Sequence, residues 1–256
     1  MSVARSVGDC IDFTSLTTPD CLTIKTITQN MEVKIMTNDQ FIHGEPSLLE
    51  SQRRQMVEYQ IRDRGIKDKQ VLAAMSKVPR HQFVDSSWRE LAYSDRPLPI
   101  SHSQTISQPY IVAYMTEAAK ISPEDTVLEI GTGCGYQAAI LGEIAKQVYS
   151  IECIPELARK ARQHLSQLGY DNIEVKTGDG YQGWLEHAPY DAIVVTAAPE
   201  QIPKNLIDQL AINAKMVIPI GKWHQEIFVL TKTRDKIIEQ RTIPVCFVPM
   251  KRKVSP

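Results

Sequence analysis

The chain has no excess of charge of either sign, no long apolar run and no paired-cysteine motif, and each absence removes a class of function. Lys and Arg number 29 against 30 Asp and Glu, for a formal net charge of −1. A nucleic-acid partner normally calls for a densely basic surface, so none is expected. No stretch approaches the roughly 20 apolar residues that span a bilayer. The N-terminal stretch also lacks the continuous hydrophobic segment of a signal peptide. A soluble, cytoplasmic protein without a membrane partner is the expectation. The five cysteines (Cys10, Cys21, Cys134, Cys153, Cys246) are scattered. They form no C-x-x-C pair, and no H-E-x-x-H occurs among the histidines. Neither a disulfide framework nor a metal site is expected; the cysteines read as small packing residues in a reducing compartment.

What is present is a chain of 256 residues, 43% hydrophobic, enough to bury one substantial core. Residues 1–45 are rich in Thr, Ser, Asp and Asn and hold no helical or alternating period, which reads as a flexible extension. Met31 and Met36 stand as alternative starts within it. Residues 46–254 read as one domain. Ser47-Leu48-Leu49-Glu50 fits a capping box. Leu48, Leu49, Met56, Val57 and Ile61 follow at helical spacing, with Gly65 as a stop. A second helix from about Lys69 is expected to bury Val71, Leu72 and Met75 and to end before Pro79. Residues 80–109, with Pro97, Pro99 and Pro109, read as a long functional loop.

From Ile111 the pattern alternates. Helices are expected at 111–121, 136–145, 155–168 and 205–210, and strands at 126–130, 147–152, 173–177, 191–196 and 216–220. The strands are short and apolar on both faces, as a parallel sheet covered by helices requires. Two last strands, 227–232 and 245–249, are expected to form a hairpin or an antiparallel edge. The fold class is therefore α/β: a doubly wound, mostly parallel sheet with an N-terminal helical cap and a C-terminal antiparallel edge.

Val127-Leu128-Glu129-Ile130-Gly131-Thr132-Gly133-Cys134-Gly135-Tyr136 runs from a strand through glycines into a helix. Such a loop lets a ligand come against the backbone, and the amides at the helix start favour an anionic group. The dinucleotide pattern wants a small residue where Tyr136 stands, and the P-loop pattern wants a Lys that is missing. G-x-G-x-G resembles the first motif of Rossmann-like methyltransferases. Glu152 ends the next strand, where a carboxylate accepts from ribose hydroxyls. Asp179, in Gly178-Asp179-Gly180, ends the third, where such methyltransferases meet the adenine amino group. After the fourth strand, Thr196-Ala197-Ala198-Pro199 lacks the [DNS]-P-P-[YF] motif of base-amine methylation, and no Pro-Cys dipeptide occurs for cytosine C5 chemistry.

Several segments together resemble one family, protein-L-isoaspartate O-methyltransferase. They are Val78-Pro79-Arg80-His81-Gln82-Phe83-Val84, Gln104-Thr105-Ile106-Ser107-Gln108-Pro109-Tyr110, the glycine loop, Gly178-Asp179-Gly180, Ala188-Pro189-Tyr190-Asp191-Ala192-Ile193, and Val217-Ile218-Pro219-Ile220-Gly221. The resemblance covers about Leu48 to Lys251 and leaves the extension unexplained. It implies that S-adenosyl-L-methionine methylates the free α-carboxylate of L-isoaspartyl residues in damaged proteins and peptides, leaving S-adenosyl-L-homocysteine. The ester then collapses to a succinimide, the first step of repair. It implies that Ser107 is catalytic, and that Thr105, Ile106, Ser107, Tyr110, Gly131, Thr132, Gly133, Glu152, Asp179 and Gly180 hold the cofactor in a monomeric enzyme. Two other readings of Ser107 stay open: a nucleophile, which needs a positioned base, and a cap for the helix near Pro109. Two other functions also stay open. One is a carboxyl methyltransferase for another acceptor, which would not discriminate an isoaspartyl peptide from its aspartyl twin. The other is a cofactor-binding module that transfers nothing.

Overall fold

The computed structural model describes residues 47–252. The expected flexible extension at 1–45 lies outside the described residues. Ser47 caps α1 (Leu48–Gln55), its hydroxyl accepting from the Glu50 amide at 3.3 Å. Only half of the capping box forms. The Glu50 carboxylate takes the Arg54 guanidinium at 2.7 Å, a charged donor one turn on, in preference to the Ser47 amide. The helix continues as a wider π-helical segment, Met56–Arg62, which buries Met56, Val57 and Ile61. α2 (Lys69–Lys77) is capped by Asp68, whose carboxylate accepts from Gln70 N and Val71 N, and it buries Val71, Ala74 and Met75. Leu72 is only half-buried, a correction to its expected core position.

The expected loop at 80–109 is more ordered than its prolines suggest. It holds two short 3₁₀ turns, Arg80–Gln82 and Ser86–Leu91, and an antiparallel hairpin of β1 (Leu98–Ile100) and β2 (Gln104–Ile106). Pro99 sits at an exposed position, where a missing amide costs nothing. The turn places His102 and Ser103 at positive φ without the glycine that usually signals such a turn.

α3 (Pro109–Ala119) leads into a seven-stranded sheet of order β5-β4-β3-β6-β7-β8-β9. β3 (Thr126–Ile130), β4 (Gln147–Glu152), β5 (Ile173–Thr177), β6 (Tyr190–Val195) and β7 (Leu210–Ile220) are parallel, and β8 (Gln225–Lys232) and β9 (Ile237–Val245) are antiparallel. α4 (Tyr136–Gly142), α5 (Pro155–Gln167) and α6 (Lys204–Gln209) make the crossovers. Successive strand residues feed opposite faces. Val127, Val148, Val194 and Val217 join the core built on the N-terminal helices, α3, α4 and α5. Leu128, Ile151, Ile193 and Met216 join the core beneath α6 and Trp184. Each fully buried side chain of this size contributes about 1.5–3 kcal/mol.

The largest boundary differences from expectation lie in β7 and the last strand. β7 begins at Leu210 because a bulge, with Asn213 at φ 67°, shifts its register on β6 between Tyr190 and Ala192. The last strand is Ile237–Val245, not 245–249. Residues near Pro249 instead return to the segment after β6, where Ala198 pairs with Pro249 in a parallel bridge.

Candidate active site

Chain order reverses between β3 and β6, so the loops leaving their C-terminal ends part and open a crevice, the place where open α/β sheets bind ligands. A cleft enclosing about 820 Å³ of empty space, open solvent at its mouth included, lies there. Its walls come from β2 and the Ser107 that follows it, the glycine loop after β3, Glu152–Ile154 at the end of β4, Gly180 after β5, Thr196 and Ala197 after β6, and Val248–Lys251 near the C-terminus.

The glycine loop is fixed from below. Gly131 donates to Ile151 O at 2.8 Å, and Thr196 Oγ donates to Gly131 O at 2.6 Å. Gly131 has φ 100°, and a Cβ there would stand 2.5 Å from the Thr196 hydroxyl, so only glycine lets the strand turn at this point. Glu152, 5% exposed, holds the loop from the side. One carboxylate oxygen accepts from Gly133 N at 2.8 Å and the other from Ile154 N at 2.9 Å.

Beneath the loop lies a buried acid that the sequence reading passed over. Glu129, in the middle of β3, is fully buried, and Ser150 Oγ hydrogen-bonds both to its Oε2 and to Thr132 Oγ. Its Oε1 has no hydrogen-bond partner among the described residues. Burial pushes the carboxyl up to about 8, the Ser150 hydroxyl opposes the rise, and the Glu152 charge adds to it. Glu129 is therefore mostly a neutral acid at pH 7, which makes the orphan oxygen far cheaper than on a carboxylate. A raised folded value means that the native state keeps a proton the unfolded chain has released. The acid's stabilisation is complete below the ordinary value of 4.5, declines as pH rises and is gone above about 8. Glu129→Gln cannot ionise, so its melting temperature relative to wild type should climb from about pH 5 to about pH 9. Parallel curves of melting temperature against pH for the two proteins would contradict the buried-acid assignment.

The two cysteines of the cleft are poor nucleophiles. Burial pushes Cys134 up to about 11, and burial together with the neighbouring Glu152 charge pushes Cys153 to about 11, so both are thiols at neutral pH.

Ser107 lines the cleft directly after β2. Gln108, not Ser107, is the N-cap of α3. The Ser107 hydroxyl has no hydrogen-bond partner among the described residues, so no base is positioned on it. A polar chain holds the backbone around it. Gln108 Nε2 donates to the Asp95 carboxylate at 2.9 Å, and Arg64 binds the same carboxylate at 2.8 Å. Arg64 also lies over the Tyr110 ring, 3.7 Å from its centroid.

The structure brings Thr105, Ile106, Ser107, Gly131, Thr132, Gly133, Glu152 and Gly180 together on the cleft walls. Tyr110 and Asp179 are not among the lining residues. Tyr110 lies beneath Arg64, and Asp179 caps the turn after β5 by accepting from Tyr181 N at 2.9 Å, with Arg252 3.9 Å away. Lining residues absent from the expected set include Cys153 and Ile154, readable as the residues that follow Glu152, and Val248–Lys251, for which no local signal exists. Among the described residues no group of three or more His, Cys, Asp or Glu is placed to hold a metal ion.

The chain is similar to known proteins in sequence and in fold. The sequence model of the family described as protein-L-isoaspartate(D-aspartate) O-methyltransferase matches residues 51–255. A protein-L-isoaspartate O-methyltransferase of Gloeobacter violaceus is 59% identical over 200 residues, 77% of this chain and 98% of that one. One from a Synechococcus species is 57% identical over 208 residues, 78% of this chain and 85% of that one. A solved protein-L-isoaspartate O-methyltransferase superimposes with a TM-score of 0.73 at 26% identity, covering 78% of this chain and 66% of its own. A Plasmodium falciparum structure described as the same kind of enzyme, in complex with S-adenosyl-L-homocysteine, gives a TM-score of 0.68 at 27% identity over 79% of this chain and 98% of its own. With a glycine loop at the sheet's switch point, a buried carboxylate beside it and a family match running from α1 past β9, the chain belongs to the protein-L-isoaspartate(D-aspartate) O-methyltransferase family.

Proposed function

We propose that this protein transfers the methyl group of S-adenosyl-L-methionine to the free α-carboxylate of L-isoaspartyl residues in damaged proteins and peptides, and that it works as a cytoplasmic monomer without a nucleic-acid partner. The observation that carries the reading is the meeting of two elements on one cleft: the glycine loop with its Glu152 anchor, and Ser107 with an unengaged hydroxyl. Among the described residues no helix is long and apolar enough to cross a membrane.

The cleft fits the cofactor. The Glu152 carboxylate borders it while keeping lone pairs beyond the two that Gly133 and Ile154 use, and these suit ribose hydroxyls. Thr132, Gly133 and Gly180 contribute surface on either side of that carboxylate. Thr105 and Ile106 bring β2 against the same space. Asp179 and Tyr110 are assigned supporting roles, the first at the adenine end and the second beneath Arg64. When bound, the cofactor supplies a methyl group already activated on a sulfonium.

The chain's own task is positioning. A main-chain-type carboxylate has a pKa near 3.5 and is ionised at neutral pH, so no general base is needed. Ser107 Oγ donates to one oxygen of that carboxylate and turns the other toward the methyl carbon. Gln108, Asp95 and Arg64 keep the Ser107 backbone in place. Holding reacting atoms in line and excluding water supplies several kcal/mol. The test is transfer to an isoaspartyl peptide against its aspartyl twin: transfer to the first alone supports the assignment, and equal transfer overturns it.

A further inference from the structure

The most exposed aromatic side chain among the described residues has no role in the core or the cleft. Trp223 is 84% exposed, and among the described residues its ring has no aromatic or cation partner. The two other tryptophans differ: Trp184 is buried and Trp88 half-buried. A lone exposed Trp costs solubility and is a common anchor of binding surfaces.

The turn that carries it is built and pinned. Gly221, at φ 128°, starts the connection from β7 to β8, and a Cβ there would stand 2.0 Å from His224 O, so the tight turn requires glycine. Gly221 N donates to Pro199 O at 3.1 Å. On the far stem, Gln225 clamps Phe247, accepting from its amide at 2.6 Å and donating to its carbonyl at 3.0 Å. Lys222 pairs with Glu200 at 3.1 Å, so the base of the turn is electrically balanced.

These pins place the turn beside the cleft. Pro199 lies two residues past the lining Ala197, and Phe247 one residue before the lining Val248. Ser107 lines the same cleft as Ala197 and Val248, at the end of the sheet from which the turn leaves β7.

We infer that Trp223 and its turn form a docking platform for an apolar or aromatic side chain of the substrate polypeptide, a few residues from the isoaspartyl position. The inference rests on the methyl-transfer reading. A polypeptide whose carboxylate enters the cleft must leave across its rim. An extended chain advances about 3.3 Å per residue, so flanks of a few residues cover on the order of 7–13 Å of that rim. Lys222 and Glu200 pair with one another at the turn, whereas the indole offers a large apolar face. A rigid platform also lowers the ordering cost of binding.

The experiment uses two blocked peptides: a short one, acetyl-Gly-isoAsp-Gly-amide, and a long one with Phe placed three residues from the isoaspartyl position on each side. Trp223→Ala should raise KM for the long peptide about fivefold, equal to about 1 kcal/mol. It should leave kcat and the short-peptide KM unchanged, and Trp223→Phe should lie between. Adding the long peptide with S-adenosyl-L-homocysteine should shift the indole fluorescence of wild type but not of Trp223→Phe. An unchanged long-peptide KM in Trp223→Ala, or an equal loss on both peptides, would overturn the platform. So would a wild type that handles the two peptides equally well, while leaving methyl transfer intact. A wild type that methylates neither would overturn the methyl-transfer reading and the platform with it.

Discussion

Ser107→Ala is expected to lower kcat for an isoaspartyl peptide at least tenfold, equivalent to about 1.4 kcal/mol of barrier. The hydroxyl lines the cleft without a hydrogen-bond partner among the described residues, so its removal leaves no orphan inside the protein and should not unfold it. The loss should fall on kcat more than on cofactor affinity, because the proposed roles divide the site: Ser107 aims the acceptor and Glu152 holds the donor. Circular dichroism confirms the fold, and steady-state methylation gives the rate. A fully active Ser107→Ala would remove the residue from the chemistry. A methylated enzyme trapped at Ser107 would instead revive the nucleophile, against the lack of a base beside it.

Glu152→Ala is expected to weaken S-adenosyl-L-methionine binding by about 1–3 kcal/mol, the range for lost charge-assisted hydrogen bonds and for buried donors left unmet. Two effects combine. In the proposed site the ribose loses an acceptor, and the amides of Gly133 and Ile154 lose theirs, so the glycine loop loosens as well. Glu152→Gln separates the two, since its single carbonyl restores one acceptor; its affinity should fall between wild type and Glu152→Ala. Calorimetry on folded variants reads this directly. Unchanged affinity in Glu152→Ala would break the cofactor assignment.

The parallel sheet was legible in the sequence because its signal is local: β3, β4 and β5 are short and bracketed by turn residues, and their bounds match those expected. Gly131 and Glu152 could be placed on the cleft because each stands where a strand must end. The hairpin of β1 and β2 was hidden by Pro97 and Pro99 and by a turn without glycine. The bulge at Asn213 hid the start of β7 in the same way. Val248–Lys251 reach the cleft through a bridge to Ala198, a pairing across the sheet that no local pattern encodes. Glu129 was passed over because an acid within an apolar strand looks like an exception until its burial and its Ser150 partner are seen.

The central claim is that this cleft selects an α-carboxylate displaced by one methylene into the main chain. It is tested by the initial rate of methyl transfer from labelled S-adenosyl-L-methionine to two peptides of identical sequence, one carrying isoaspartate and the other aspartate. Misplacing a reacting atom by about one bond costs on the order of 100-fold, so wild type should favour the isoaspartyl peptide by at least that factor. The label should leave the product under mild alkali, as an ester does. Equal rates on the two peptides, or a label that survives alkali, would contradict it.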